Sequence, residues 1–395
     1  MVKKTRLNKM KYIAIVARTS GDSRCEMLKG FARYMQVHPE IAIRQVLPPR
    51  NNEVLKLNEF SGIITDGLDK PHIEMLKAPG LPIVDLSGEM IDDPEIITID
   101  NDLEKTGTMV AERFLQRGFK NFAYFGIDGK RACDTMSNAF CARVEKEGYA
   151  CSILKMNNFF IPMYITKPSK HGNGRILKWL KNLPHHTAVF CLNDVRAQAV
   201  LLWCIEIGRA VPQDIAIIGT NNDISRCMCS PVPISSVDMN WSELGYAAMR
   251  LVAHAIDHPL EPKVRHPLLI PPGPIVERES TAVYPVDPPW LSEALSLIDT
   301  NMNRPISAAD LAANAGVSHT TLQTAFRKAL GTSPGKYILS VKMREAKRLL
   351  GEGNFSVKEV ASMTGFASRS YFSHTYSGYF GHAPVKYRTD PRRAT

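Results

Sequence analysis

From Lys11 to about Ile275, short apolar runs alternate with longer amphipathic ones. KYIAIVA leads into the helix-like CEMLKGFARYM, and AIRQVL, GIITD, PIVDLS and ITIDN follow as strand-like runs. Further on, LEKTGTMVAERFLQRG, NAFCARVEKEG, RILKWLKNL, VRAQAVLLWCIEIG and ELGYAAMRLVAHAI read as helices, with FAYFG, CSILKM, AVFCLND and IAIIGTNND as strands between them. Apolar β-branched runs between amphipathic helices predict parallel sheets covered on both faces. The strands are too many for one small sheet. The pattern therefore predicts two α/β lobes, with ligands at the carboxyl ends of their strands.

The alternation stops at YPVDPP, Tyr284 to Pro289, whose prolines cannot occupy a helix interior and mark a linker. Beyond it the chain reads as wholly helical and contains a repeat. SAADLAANAGVSHTTLQTAF (Ser307 to Phe326) aligns with SVKEVASMTGFASRSYFSHTY (Ser356 to Tyr376). Each copy has a serine N-cap, a short helix with a buried alanine (Ala312, Ala361), a turn glycine (Gly316, Gly365), and a second helix capped by Ser318 or Ser368. That is the pattern of a helix-turn-helix, present twice. Between the copies, the stretch from Pro334 predicts one helix of about 17 residues, roughly 25 Å long. Such a connector can hold two reading helices about one DNA turn apart, roughly 34 Å. In the second copy Phe372 and Tyr376 are expected in the core, matching Leu322 and Phe326. Arg369, Ser370, Ser373 and His374 are left on other faces.

DLAANAGVSHTTLQTAFRKALGTSPGKYI, the connector MREAKRLL and EVASMTGFASRSYFSHTYSGYFGHAPVKYR resemble the AraC family of transcription regulators over Leu291 to Arg388. The resemblance implies that Thr320, Gln323 and Thr324 face bases from the first reading helix, and Arg369, Ser370, Tyr371, Ser373 and His374 from the second. Arg and Gln suit bidentate readout of guanine and adenine in the major groove. Lys328, Lys336 and Arg388 are expected on phosphates, which position without specifying sequence. Two positions depart from the family: Lys342 stands where the connector usually has Arg, and Tyr376-Ser377 replaces Phe-Lys.

FCLNDVRAQAVLLWCIEIGRAVPQDIAIIGTNND, Phe190 to Asp223, resembles the effector domain of LacI-type regulators and periplasmic sugar-binding proteins, and ITIDND at 97–102 resembles their lobe crossover. LacI-type regulators carry an N-terminal DNA-binding headpiece. Here the first strand starts at Tyr12, and the C-terminal helix pair stands in for that part. The resemblances imply a two-lobed sugar sensor over 1–280, a proline-rich linker over 281–290 and a double helix-turn-helix domain over 291–391. A sugar cleft needs Asp, Asn and Arg as paired acceptors and donors. Loops after strands supply Ser20 and Asp22, Asp66, Asp128 and Arg131, Asp194 and Arg196, and Asn221 with Asp223. Asp102, just before LEKTG, is expected to cap a helix instead. Met136 occupies the position where relatives usually have a ligand-binding Arg. Trp179, Trp203 and Trp241 are expected in the core.

Charge agrees with this division. The chain has 395 residues and a net charge of +10, and Leu291 to Thr395 contribute +7 of it, which points to a polyanionic partner. Eight cysteines form no CxxC pair and several sit in apolar runs, so neither a disulfide framework nor a metal site is expected. No cofactor is expected. No run approaches the roughly 18–20 apolar residues of a membrane span, and the short apolar start suits a strand better than a signal peptide, so the chain is read as cytoplasmic. GxSxG, GxxxxGK[ST], HExxH and GxGxxG are absent. The expected partners are double-stranded DNA with paired half-sites, a small sugar such as a pentose, a second copy of the chain and, for an activator, RNA polymerase. A sugar-processing enzyme with a DNA-binding appendage, or a regulator whose first domain only dimerises, are the other readings.

Overall fold

The computed structural model describes residues 10–17, 22–48, 57–77, 79–88, 90, 92–156, 174–258, 266–351 and 355–385. Lobe 1 is built from β1 (Lys11–Ala17), α1 (Asp22–Val37), β2 (Ile41–Val46), β3 (Gly62–Asp66), α2 (Lys70–Met75), β4 (Ile83–Asp85) and β5 (Ile96–Asn101). The chain then crosses into lobe 2, with α3 (Leu103–Gln116), β6 (Asn121–Ile127), α4 (Arg131–Glu145), β7 (Cys151–Met156), α5 (Gly174–Asn182), β8 (Thr187–Cys191), α6 (Asp194–Glu206), β9 (Ile215–Thr220), α7 (Ile224–Met228) and β10 (Ser235–Val237). It returns to lobe 1 for α8 (Trp241–Asp257) and β11 (Leu268–Ile270), and back to lobe 2 for β12 (Ile275–Val276).

Each lobe holds a six-stranded sheet, ordered β11-β5-β4-β3-β1-β2 and β12-β10-β9-β8-β6-β7. The first is parallel throughout, and the second is parallel except where β12 pairs with β10. β5 and β8 are buried along their whole length, as strands covered on both faces must be. In lobe 1, α1 and α8 pack side by side on the sheet around Phe31, Met249 and Val252. In lobe 2, α3 and α4 pack around Phe114, Phe140 and Val110. At the crossings the backbone is tied strand to strand: the Asp102 amide donates to the Ile270 carbonyl and the Gly273 amide to the Asp238 carbonyl, each at 2.8 Å. The Asn101 side chain donates to the Met239 carbonyl. Asp102 caps α3 by accepting from the Lys105 amide, as the following LEKTG implies.

The last part is helical: α9 (Pro289–Thr300), α10 (Ala308–Asn314), α11 (His319–Leu330), α12 (Pro334–Gly351), α13 (Val357–Met363) and α14 (Arg369–Phe380). Pro289 takes the first position of α9, where its missing N–H is no loss. Ser307 and Ser356 each form a capping box, with Asp310 and Glu359 respectively, so the two copies start their first helices in the same way. Leu322 and Phe326 are fully buried in one core and Phe372 and Tyr376 in another. Each such side chain contributes roughly 1.5–3 kcal/mol by leaving water. Among the described residues no helix is long and apolar enough to cross a membrane.

Candidate functional sites in the interlobe cleft and the helix pair

The carboxyl ends of the two sheets face each other. Arg131, at the start of α4 in lobe 2, forms an ion pair with Asp100 near the end of β5 in lobe 1. It also lies 3.4 Å from the carbonyl of Ser87, just past β4. Asp100 is 8% exposed, and burial raises its pKa against the opposing pull of Arg131. Next to it, the Asp85 carboxylate accepts from the Thr65 hydroxyl at 3.0 Å and the Ser87 hydroxyl at 2.8 Å. The mouth between the lobes therefore presents the Arg131 guanidinium, the Ser87 hydroxyl and the largely buried Asp100 carboxylate, with Asp85 and Thr65 fully buried behind them. That is the donor and acceptor set a polyhydroxylated ligand needs. Asp85, Ser87 and Asp100 were not singled out from the sequence as ligand candidates, although all three obey the same rule of lying at strand carboxyl ends.

The expected ligand residues divide. Arg131 lies at the mouth, Asp66 is half-buried at the end of β3, and Asp128 is exposed in the loop before α4. Asp194 is 1% exposed, and its oxygens accept from the Ser236 hydroxyl at 2.6 Å and the Asp223 amide at 2.8 Å. Those bonds tie α6 to β10 and to the start of α7. Gly219 of β9 lies against it, since a Cβ there would fall 2.1 Å from Asp194 Oδ1. Burial pushes the Asp194 carboxyl up to about 7 in spite of its donors. Arg196 is 7% exposed, reaches Asn193 Oδ1 at 3.3 Å, and sits in the field of Cys133, Cys191 and Tyr124, with burial lowering its pKa. Asn221 adopts φ 98° and donates its amide to Val237, while Asp223 caps α7. Ser20 lies outside the described residues, as does the side chain of Asp22, the first residue of α1. Met136 is 3% exposed and packs in the lobe 2 core. Trp203 is buried, as expected, whereas Trp241 is half-buried and packs against the cores of both lobes.

In the helical domain the expected DNA face is open. Thr320, Thr324 and Lys328 lie one turn apart along α11, all exposed, with Gln323 half-buried beside them. They border an open cleft of about 700 Å³ whose other wall includes Pro289 and Trp290. On α14, Arg369, Ser370, Tyr371 and His374 are exposed and Ser373 is half-buried. Ser318 accepts from the Thr321 amide and Ser368 from the Tyr371 amide, so α11 and α14 both start from a capped, fixed end. Lys336 is exposed at the start of α12, while Arg388 lies outside the described residues. Lys342 points away from this face: it is 7% exposed and bonded to two backbone carbonyls.

Residues 111–281 match the periplasmic binding protein-like domain family and residues 311–390 the helix-turn-helix domain family. The chain is 27% identical to the xylose operon regulatory protein of Escherichia coli strain K12 over 340 residues, covering 83% of each chain. It is 24% identical to the protein of the same name from Haemophilus influenzae, covering 92% and 94%. The structure of a xylose-binding transcription activator shares its fold, with a TM-score of 0.60 at 24% identity, over 96% of this chain and 98% of that one. The chain is thus a DNA-binding transcription regulator in which a LacI-like, periplasmic-binding-protein-like domain precedes an AraC-type helix-turn-helix domain, homologous to the xylose operon regulatory proteins.

Proposed function

We propose that the chain is a sugar-responsive activator of sugar-utilisation genes, acting in the cytoplasm as a homodimer whose effector is a pentose such as D-xylose. The carrying observation is the Arg131–Asp100 pair, which brings hydrogen-bonding groups of both lobes together at the carboxyl ends of their strands. An effector held there shifts the lobes only in so far as it binds one arrangement better than the other. Residues 1–280 form the sensor and 291–391 the reader, joined by the linker 281–290. Thr320, Gln323 and Thr324 read one part of each half-site and Arg369, Ser370, Tyr371, Ser373 and His374 the other. Ser318 fixes the first reading helix, Lys328 holds phosphate, and the activator contacts RNA polymerase.

The testing experiment is thermal unfolding of the full chain against pentoses, hexoses and sugar acids. D-xylose at about 100 times its Kd adds roughly 2.7 kcal/mol if it binds the native state alone. A second reading is favoured by Met136, buried where the resemblance to LacI-type regulators leads one to expect an arginine: a first domain kept for dimerisation alone. No shift with any sugar, in a protein that still binds DNA, selects that reading.

A further inference from the structure

Between lobe 2 and the helical domain lies a cluster of charged side chains, centred on the buried Arg117 and otherwise partly exposed, that neither the cleft nor the DNA face uses. Arg113 and Arg117, at the end of α3, both pair with Glu277, which directly follows β12. Arg117 also reaches Asp299 of α9, at 3.3 Å. Asp299 accepts from the Tyr284 hydroxyl at 2.6 Å, and the Arg117 guanidinium lies over the Tyr284 ring, 4.7 Å from its centroid. Tyr284 is 2% exposed and belongs to the core of the first helix-turn-helix. On the far side Arg344 of α12 donates to Gln116 of α3. Both α9 and α12 are thus tied to the end of one lobe 2 helix.

The charges do not balance: three guanidiniums share two carboxylates. Burial opposes ionisation of Glu277, yet Arg113 and Arg117 outweigh it and hold its carboxyl down to about 2. Burial lowers the pKa of Arg344, and the like charge of Arg113 lowers it further. Removing Glu277 or Asp299 leaves the buried Arg117 guanidinium short of compensation.

A proline-rich linker alone leaves two domains free to move independently. We propose that Asp299 clamps the helix-turn-helix domain to lobe 2 through Arg117, and that Glu277, within lobe 2, is the positioning residue that holds Arg117 for it, so that the reader is carried as one body with that lobe. Arg344 adds a second tie, from α12 to Gln116 at the end of α3. The part concerning lobe motion rests on the proposed sugar response; the clamp itself does not.

Hydrogen–deuterium exchange of the full chain tests it. Glu277→Gln is expected to speed exchange in α9 and the end of α3 by roughly tenfold or more, leaving β1–β5 and α13–α14 unchanged. Arg344→Met, which removes the bond to Gln116, is expected to speed exchange in α12 and the end of α3. Unchanged exchange in Glu277→Gln, acceleration spread through the lobe 2 sheet, or unchanged exchange in Arg344→Met would each overturn the clamp. Adding D-xylose gives a separate arm. The wild type should alter exchange in α9 and α12 as well as at the cleft, and Glu277→Gln only at the cleft. Unaltered α9 and α12 in a wild type that responds at the cleft overturn the transmission of lobe motion. A wild type unresponsive throughout sinks the sugar reading, while the exchange comparison without sugar still decides the clamp.

Discussion

Lys342 Nζ donates to the carbonyl of Gly365 at 3.2 Å, joining the middle of the connector helix to the turn of the second helix-turn-helix. The same ammonium donates to the Arg304 carbonyl at 2.9 Å and lies over the Phe366 ring. Gly365 itself has φ +68°, and a Cβ there would lie 2.5 Å from the Arg304 carbonyl oxygen and 2.7 Å from Lys342 Nζ. Gly316, its counterpart in the first copy, has φ +66° but no atom within 4 Å of a Cβ. Gly316→Ala should therefore cost only the backbone term, about 1 kcal/mol. Gly365→Ala adds steric displacement of backbone and should cost about 3 kcal/mol. Denaturant unfolding of the two variants side by side gives the difference. Equal losses would contradict the packing account.

Lys342→Met should leave two backbone carbonyls short of a donor and destabilise the second helix-turn-helix by about 2 kcal/mol. Its DNA affinity, measured below the unfolding transition, should keep the wild-type dependence on salt. A reduced salt dependence would mean that Lys342 touches phosphate after all.

Asp194 makes a prediction about pH. Burial raises its carboxyl to about 7, so the native state keeps a proton that the unfolded chain releases near its ordinary value. The native state then binds more protons than the unfolded one between roughly pH 4 and 7. Stability must fall as pH rises through that window and level off above it, by about 4 kcal/mol on this group alone. Asp194→Asn should remove that part of the slope. Unfolding free energies of both proteins at pH 5 and pH 8 measure it, and parallel slopes would reject the shift.

Arg131 is exposed enough to meet a ligand, yet it already bridges the lobes through Asp100. Arg131→Ala should weaken D-xylose binding by roughly tenfold or more, since a charge-assisted bond contributes about 1.5–3 kcal/mol. DNA binding without sugar should persist. Calorimetric titration that finds unchanged sugar affinity would place the ligand elsewhere.

Reading and positioning residues should separate by kind of loss. Arg369→Ala is expected to cost about 1–3 kcal/mol on a site selected from random DNA and to relax preference at one base pair. Lys328→Ala should weaken all sequences alike and lower the salt slope by about 1. Loss of base preference in the lysine variant would reverse the assignment.

The sequence exposed whatever is written as a local period. The β-branched runs foretold β1, β5, β8 and β9, and the serine–glycine spacing foretold both helix pairs, because each depends on neighbours a few positions away. The short strands β10, β11 and β12 have three residues or fewer and no period to read. Arg117 and Glu277 stand 160 positions apart, so nothing local links them. Asp194 and Arg196 follow a strand as cleft residues do, but their side chains turn into the lobe, a direction that only the packing against β9 and β10 decides. Lys342 shows the same limit: its spacing marks it as part of the connector, and only the fold reveals that its charge is spent on carbonyls.

The connector is one unbroken helix of 18 residues, about 27 Å from end to end. A rod of that kind tolerates no change in phase. One extra base pair between the two halves of a site turns the second half by about 36° around the duplex axis, and five put it on the opposite side. With α11 and α14 both reading DNA as proposed, a single chain would measure twist as well as sequence, and insertions inside its site should be far less forgiving than insertions between the sites of two chains.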